Sequence, residues 1–315
     1  MKINVAAIQM ESLNGDYEGN RNRAQKYINY ALEKGANLIM PPELALTGYI
    51  YADAIWKEAE LLSGRTSRWL SKLCDQHNVY IATCILECDG KDFYDTFILC
   101  GPGGKMWSHR KVEPAGYEAF FLRGAGLNNC VFDTPIGKIG VVICFDASKA
   151  YSIKELLAKR PDFLLNPYSC VEMPSSFPKR YGERWVKIYH NTPAILAKQL
   201  DVPVVTCNKT GDFLSPMPMG FGMQYSAKFI DRTSIVDHNG DVLSEVDDGP
   251  GVAVAKVETK PERGDKVIKV PNGRWFLPVS NFTRIMSGIT QTIGQIRYAI
   301  SRKRRKAASL AIVHD

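Results

Sequence analysis

The chain has 315 residues, 45% hydrophobic and 23% charged, enough for one large domain or two ordinary ones around a sizeable core. Its net charge is +7, and the run Arg302 to Lys306 supplies five of those charges. The nearly balanced remainder argues against a nucleic-acid-binding face, and no window reaches the ~20 apolar residues of a membrane span.

The opening MKINVAAIQM has no long apolar run and no small-residue cleavage site, so it reads as a strand rather than a signal peptide. Eight scattered cysteines without a secretory leader fit reduced thiols in a soluble, cytoplasmic protein. None has zinc spacing with its neighbours, so no metal site is expected. An amphipathic helix follows over YEGNRNRAQKYINYALEKG, stopped by Gly35, and ANLIMPPE is a strand cut off by two prolines. SRWLSKLCDQHN is helical; VYIATCILEC, FYDTFILCGPGG and KMWSHRKV continue as strands. GKIGVVICF, DFLLNP and VPVVTCN are short apolar strands separated by the helices SIKELLAKR and PAILAKQLD, and SIVDHNGDVLSEV is a hairpin with an Asn-Gly turn. PSSFPKRYGERW and GDFLSPMPMGFGMQ, rich in Pro, Gly and Met, read as long loops that could cap a pocket or meet another subunit. The rhythm predicts an α/β protein with two helix-covered sheets: a catalytic domain over residues 1–260 and a C-terminal extension over 261–315.

Three strands end in a chemically capable group: Glu43 after Pro41-Pro42, Lys111 after KMWSHR, and Cys144 after GVVI. Open α/β sheets build sites beyond the carboxyl ends of strands, so the three are placed to meet. A carboxylate can act as base for a thiol, and an ammonium can stabilise both a thiolate and the oxyanion formed at an attacked carbonyl. Taken singly, each residue also reads as a loop carboxylate, a solvated strand-end cation or a packed core thiol.

The blocks PPELALTGY, HRKVEPAGYE and GVVICFD resemble, in this order, the catalytic motifs of the nitrilase superfamily of carbon–nitrogen hydrolases; the likeness extends over roughly residues 1 to 260. The resemblance implies a four-layer αββα sandwich and cofactor-free acyl transfer. Cys144 would be the nucleophile, Glu43 the base, and Lys111 with the Phe145 backbone N–H the oxyanion donors. Glu118, seven residues after Lys111, matches a second glutamate of the family that orients the lysine or the substrate nitrogen. Phe145-Asp146 stands where nitrilases carry Trp-Glu, which disfavours a nitrile substrate. Ala147-Ser148 stands where carbamoyl-amino-acid hydrolases tend to carry arginines, with only Lys149 nearby. The resemblance therefore points to an amidase-type enzyme acting on a small-molecule amide. The alternatives are an N-carbamoyl amide hydrolase, or a redirected member serving as a binding or membrane-associated scaffold. Tyr49, Tyr117, Phe121 and Tyr168, with Tyr51, Phe120 and Phe145, are candidates for an apolar pocket wall or for core.

In the extension, Ile285, Ile289, Ile293, Ile296 and Ile300 recur at spacings of 4, 4, 3 and 4, one face of an amphipathic helix that runs into the basic cluster. Three uses fit: packing on its own domain or on a partner subunit in a homodimer or larger homo-oligomer, contact with an anionic membrane surface through residues 285–306, or a solvated tail.

Overall fold

The structure, a computed structural model, describes residues 2–174, 178–219, 222–259, 270 and 272–311. The boundary expected at residue 260 lies outside the described residues. In chain order the elements are strand β1 (Lys2–Gln9), helix α1 (Tyr17–Glu33), β2 (Leu38–Met40), α2 (Arg65–His77), β3 (Tyr80–Cys88), β4 (Phe93–Gly101), β5 (Lys105–Arg110), β6 (Val131–Thr134) and β7 (Gly137–Val141). They continue with α3 (Ala150–Lys159), β8 (Phe163–Pro167), α4 (Lys179–Leu200), β9 (Val204–Cys207), β10 (Asp212–Pro216), β11 (Gln224–Lys228), β12 (Thr233–Val236), β13 (Val242–Val246), β14 (Gly251–Glu258), α5 (Asn281–Ile300) and α6 (Arg302–Ala311). Short 3-10 turns occupy Asp53–Glu58, Gly116–Phe120 and Cys144–Ser148.

Two six-stranded mixed sheets carry the fold, in the orders β14-β1-β2-β3-β4-β5 and β13-β12-β9-β8-β7-β6. Each has three parallel strands at its centre, β1-β2-β3 in one and β7-β8-β9 in the other, flanked by antiparallel neighbours. The largest core cluster joins both sheets: Val5, Leu38, Ala82 and Phe97 from one share it with Ile139, Phe163, Leu165 and Val205 from the other. α1 and α2 cover the outer face of the first sheet through Ala24, Ile28, Leu70 and Leu73. α3 and α4 cover the second through Ile153, Leu156, Leu196 and Leu200. Helix, sheet, sheet and helix are thus stacked as the αββα order expected from the motifs, and the near-continuous apolar runs of β3 and β8 follow from burial on both faces.

Two segments expected as loops are ordered elements. Within 174–185, α4 already begins at Lys179. Its Pro193, which from sequence marks a helix start, lies inside the helix and is buried there beside Thr192. Within 211–224, β10 pairs antiparallel with β11 to form a separate two-stranded ribbon. The C-terminal helix α5 packs on its own domain against the Gly116–Phe120 turn, but not through its isoleucines. Thr283, Thr290, Gln291, Gly294 and Tyr298 are the buried residues, and the isoleucine face points outward.

Candidate active site

The three strand ends converge where the two sheets meet. Pro41 and Pro42 end β2, and the backbone turns sharply at Leu44, which has a positive φ of 47°. The Glu43 N–H donates to Tyr168 O at 3.2 Å, and Ser169 Oγ donates to Glu43 O at 2.6 Å, fixing the loop against the second sheet. Lys111 follows β5 and extends its ladder by one bond, its N–H donating to Asp95 O of β4 at 2.8 Å. Cys144 is not a strand residue: pairing in β7 ends at Val141, and Cys144 opens the 3-10 turn with a positive φ of 43°. A non-glycine residue in that region is held there by its surroundings, and such positions cluster at functional sites.

Lys111 is the hub. Its Nζ lies 2.6 Å from Glu43 Oε1, 2.8 Å from Glu118 Oε2 and 3.3 Å from Asp95 Oδ2, and all four side chains are buried. Glu118 also accepts from the Tyr49 hydroxyl, and its Oε2 accepts from the Ala115 N–H at 2.7 Å. Burial alone would drive the ammonium to lose its proton, but Glu118, Glu43 and Asp95 outweigh it and hold Lys111 well above the ordinary lysine range. Burial likewise pushes Glu43 up, while the Lys111 charge and a hydrogen bond from Asp95 hold its carboxyl below the ordinary value. Glu118 is raised by burial and by the Glu43 charge, against the pull of Lys111.

Asp95 and Lys209 belong to this cluster and were not singled out from sequence. Burial, then the neighbouring Glu43 charge, pushes Asp95 well above the carboxylate range. Glu43 Oε2 and Asp95 Oδ1 are buried acceptors without an ordinary donor among the described residues. One proton on Asp95, shared toward Glu43, satisfies both, because a carboxylate is acceptor-only until protonated. Lys209, just past β9 and fully buried, donates to Leu44 O at 3.0 Å and pins the turn that carries Glu43. Burial lowers its ammonium to about 7, with the Glu43 and Asp95 charges opposing. The available signal was a charge inside or at the end of an apolar strand, FYDTF and VVTCNK.

Burial and the Glu43 charge push the Cys144 thiol well above its ordinary value, and the opposing Lys111 charge does not overcome them. The Lys111 charge thus opposes, without reversing, the upward push of burial on the thiol. Asp146, two residues on, accepts from the Val112 and Glu113 N–H groups at 2.8 and 3.1 Å, tying the cysteine turn to the lysine loop.

Cys144 lines a cavity of about 190 Å³. Of the aromatic residues that read as pocket wall or core, Tyr49, Tyr51, Tyr117 and Phe145 share the wall, with Met173, Trp185, Tyr189, Met217 and Tyr225 from the segments that read as loops or went unassigned. Phe121 and Tyr168 do not line it. Phe121 packs under Trp56 and accepts from its indole N–H at 2.9 Å, while Tyr168 stacks edge-on to Tyr189 behind the site. Helix α5 closes one side with Phe282, Thr283, Met286, Ser287 and Thr290, residues the sequence did not link to the site. Among the described residues no charged side chain lines the cavity. Lys149, the one cation near the cysteine in sequence, is buried between the Phe145 and Trp275 rings and lies 3.0 Å from Glu113 Oε2. Among the described residues no three His, Cys, Asp or Glu side chains are grouped to hold a metal ion.

The same fold occurs in a carbon-nitrogen hydrolase from Helicobacter pylori G27, with a TM-score of 0.72 at 18% identity over 82% of this chain and 90% of that one. An amidase from Nesterenkonia sp. superposes with a TM-score of 0.66 at 17% identity, over 81% and 90% of the two chains. In sequence the chain is 29% identical to a nitrilase of Pyrococcus abyssi over 259 residues, 80% of this chain and 88% of the relative. The profile of the carbon-nitrogen hydrolase family matches residues 4–262, which contain Glu43, Lys111, Glu118 and Cys144, and the chain belongs to that family.

Proposed function

We propose that the protein hydrolyses the carbon–nitrogen bond of a small, uncharged, apolar amide through a thioester on Cys144. The observation that carries this reading is the cavity: it is walled by aromatic and methionine side chains, has the thiol in its lining, and among the described residues has no charged side chain to receive a substrate carboxylate. The thiol needs a base, and Glu43, held ionised beside Lys111, is the carboxylate able to take its proton. Attack of Sγ on the carbonyl carbon turns its oxygen into an oxyanion. Lys111 Nζ and the Phe145 N–H, which lies in the first turn of a 3-10 helix where backbone donors lack intrahelical acceptors, supply its hydrogen bonds. Collapse breaks the C–N bond, and the amine or ammonia leaves with the proton from Glu43. Water then gives a proton to Glu43 and attacks the thioester, releasing the acid and returning the proton to the thiol. Glu118 acts through Lys111, holding it between two carboxylates.

An N-carbamoyl amino acid finds no cation among the described residues of the cavity lining, and Lys149 is occupied by Glu113. Nitriles belong in the same panel because the Pyrococcus relative bears the name nitrilase. Ammonia release should be measured from short aliphatic amides, N-carbamoyl amino acids and nitriles, with wild type and Cys144→Ala. Turnover of the uncharged amides by wild type alone is expected. Equal background from both proteins on every compound would overturn the reading.

A further inference from the structure

Helix α5 is held in one rotational setting by specific contacts on its polar side. Gln291 Nε2 donates to Pro114 O at 2.7 Å, and the Tyr298 hydroxyl accepts from the Phe93 N–H at 2.8 Å. Gly294 sits so close to the Gly116–Phe120 turn that a Cβ there would meet Ala119 C and Phe120 Cδ2 at 2.8 Å each. This setting turns the opposite side outward. Ile285, Ile289, Ile293, Ile296 and Ile300, within an arc of ~80° at 3.6 residues per turn, are 61, 45, 37, 58 and 68% exposed. A single exposed isoleucine needs no explanation, but five in one stripe on a fixed helix do.

Within α5 and α6 the charge is of one sign. Residues 281–311 contain seven Lys and Arg and no Asp or Glu, which equals the net charge of the entire chain and leaves the rest balanced. Arg304 is buried, donating to Lys91 O and paired with Asp92, whereas Arg284, Arg297, Arg302, Lys303, Arg305 and Lys306 are exposed. Lys303 lies 3.4 Å from Asp53 and is still 84% exposed. Pairing α5 against α5 of a second copy would bring these cations together with no acidic residue in either segment to compensate. An anionic lipid surface accepts both the apolar stripe and the cations. Among the described residues no helix is long and apolar enough to cross a membrane, so the stripe is suited to lying on a bilayer.

We propose that α5 and α6 form a docking face for an anionic lipid bilayer, with the isoleucines entering the acyl boundary and the six exposed cations contacting headgroups. The same helix walls the Cys144 cavity with the flank that adjoins the stripe, where Phe282 and Met286, 39 and 36% exposed, line that cavity while reaching the surface. Docking would therefore hold the cavity mouth against lipid.

The test is co-sedimentation of the full chain with phosphatidylcholine vesicles containing about one quarter phosphatidylserine, against pure phosphatidylcholine, at low and high salt. Two variants accompany it: Ile289→Ser/Ile293→Ser/Ile296→Ser, and Arg302→Ser/Lys303→Ser/Arg305→Ser/Lys306→Ser. All the changed side chains are exposed, and thermal melting checks that both variants fold. Wild type is expected to pellet with the anionic vesicles only, with binding reduced by about tenfold or more in either variant and at high salt. Wild type remaining in the supernatant would overturn the proposal, as would an isoleucine variant that binds as wild type does. So would light scattering that shows the isoleucine variant turning a dimer into a monomer, since the stripe would then be covered by a second copy. None of these readouts depends on hydrolysis, so they stand apart from the proposed reaction.

Discussion

Lys111 Nζ lies 2.6 Å from Glu43 Oε1, joining two residues that are 68 apart in sequence and leave different strands of one sheet. The contact serves two purposes that can be separated. It compensates a buried charge on each partner, and it keeps Glu43 ionised as the base. Glu43→Gln keeps an acceptor for the ammonium and removes the base. Amide hydrolysis should fall by about 10²–10⁴-fold with the melting temperature little changed. Lys111→Ala would instead leave ionised carboxylates buried without their cation, and should melt early or fail to fold. An active Glu43→Gln enzyme would remove Glu43 from the mechanism.

The proton assigned to Asp95 makes a sharper distinction. Asp95→Asn carries a permanent N–H donor toward Glu43 and no charge, so kcat/KM should stay within about tenfold of wild type. Asp95→Ala leaves Glu43 Oε2 buried and without that donor, and should lower both stability and kcat/KM. If Asp95→Asn lost activity by several hundredfold while Asp95→Ala resembled it, Asp95 would be acting as an ion.

What was legible in the sequence follows from where each side chain sits. Glu43, Lys111 and Cys144 stand just past strand ends, in motifs with a family precedent, and their convergence could be read before any coordinates. Asp95 and Lys209 could not, because a lone charge in a strand pattern gives no hint of which buried partner it meets; here the partner lies on another strand or in the other sheet. The pattern PAILAKQLD places the helix from Pro193 onward, yet α4 begins at Lys179 and runs through the proline. For α5 the periodicity found the isoleucine face correctly but not its direction. That depended on Gly294, whose missing side chain permits close approach and leaves no mark in a hydrophobic pattern.

Gly294 is therefore a lever on the site from outside it. Gly294→Val would push α5 away from Ala119 and Phe120, neighbours of Glu118 in the same turn. A loss of about 1–3 kcal/mol in unfolding free energy is expected from the overpacking. KM should rise with it, because α5 also walls the cavity. Unchanged melting and kinetics would mean that α5 is not seated on this turn in solution.

The cavity lining predicts how rate depends on the acyl group. Each methylene buried against Tyr117, Met217 or Trp185 should add up to about 0.8 kcal/mol to transition-state binding until the space is filled. A terminal carboxylate should reverse that gain, since no cation among the described residues of the lining would receive it. The ratio of kcat/KM for a neutral aliphatic amide to that for the isosteric amide acid measures this directly. A ratio below one would require a cation that is absent from the described residues of the lining.

His109 sets a limit on acid stability. It is buried, and its Nδ1–H, in the neutral tautomer, donates to Asn129 O at 3.1 Å. Burial lowers its pKa from 6.5 to about 4. Between those values the unfolded chain binds a proton that the folded chain does not, so stability rises with pH across the window and is lost as pH falls from 6.5 toward 4. The slope from this one group is at most about 1.4 kcal/mol per pH unit. His109→Gln keeps a donor and cannot titrate, so its unfolding free energy should fall less steeply than that of wild type across this range. Denaturant titrations at several pH values measure both slopes. Parallel curves would show that His109 binds its proton equally well in both states, and acid sensitivity would then rest on the carboxylates around Lys111.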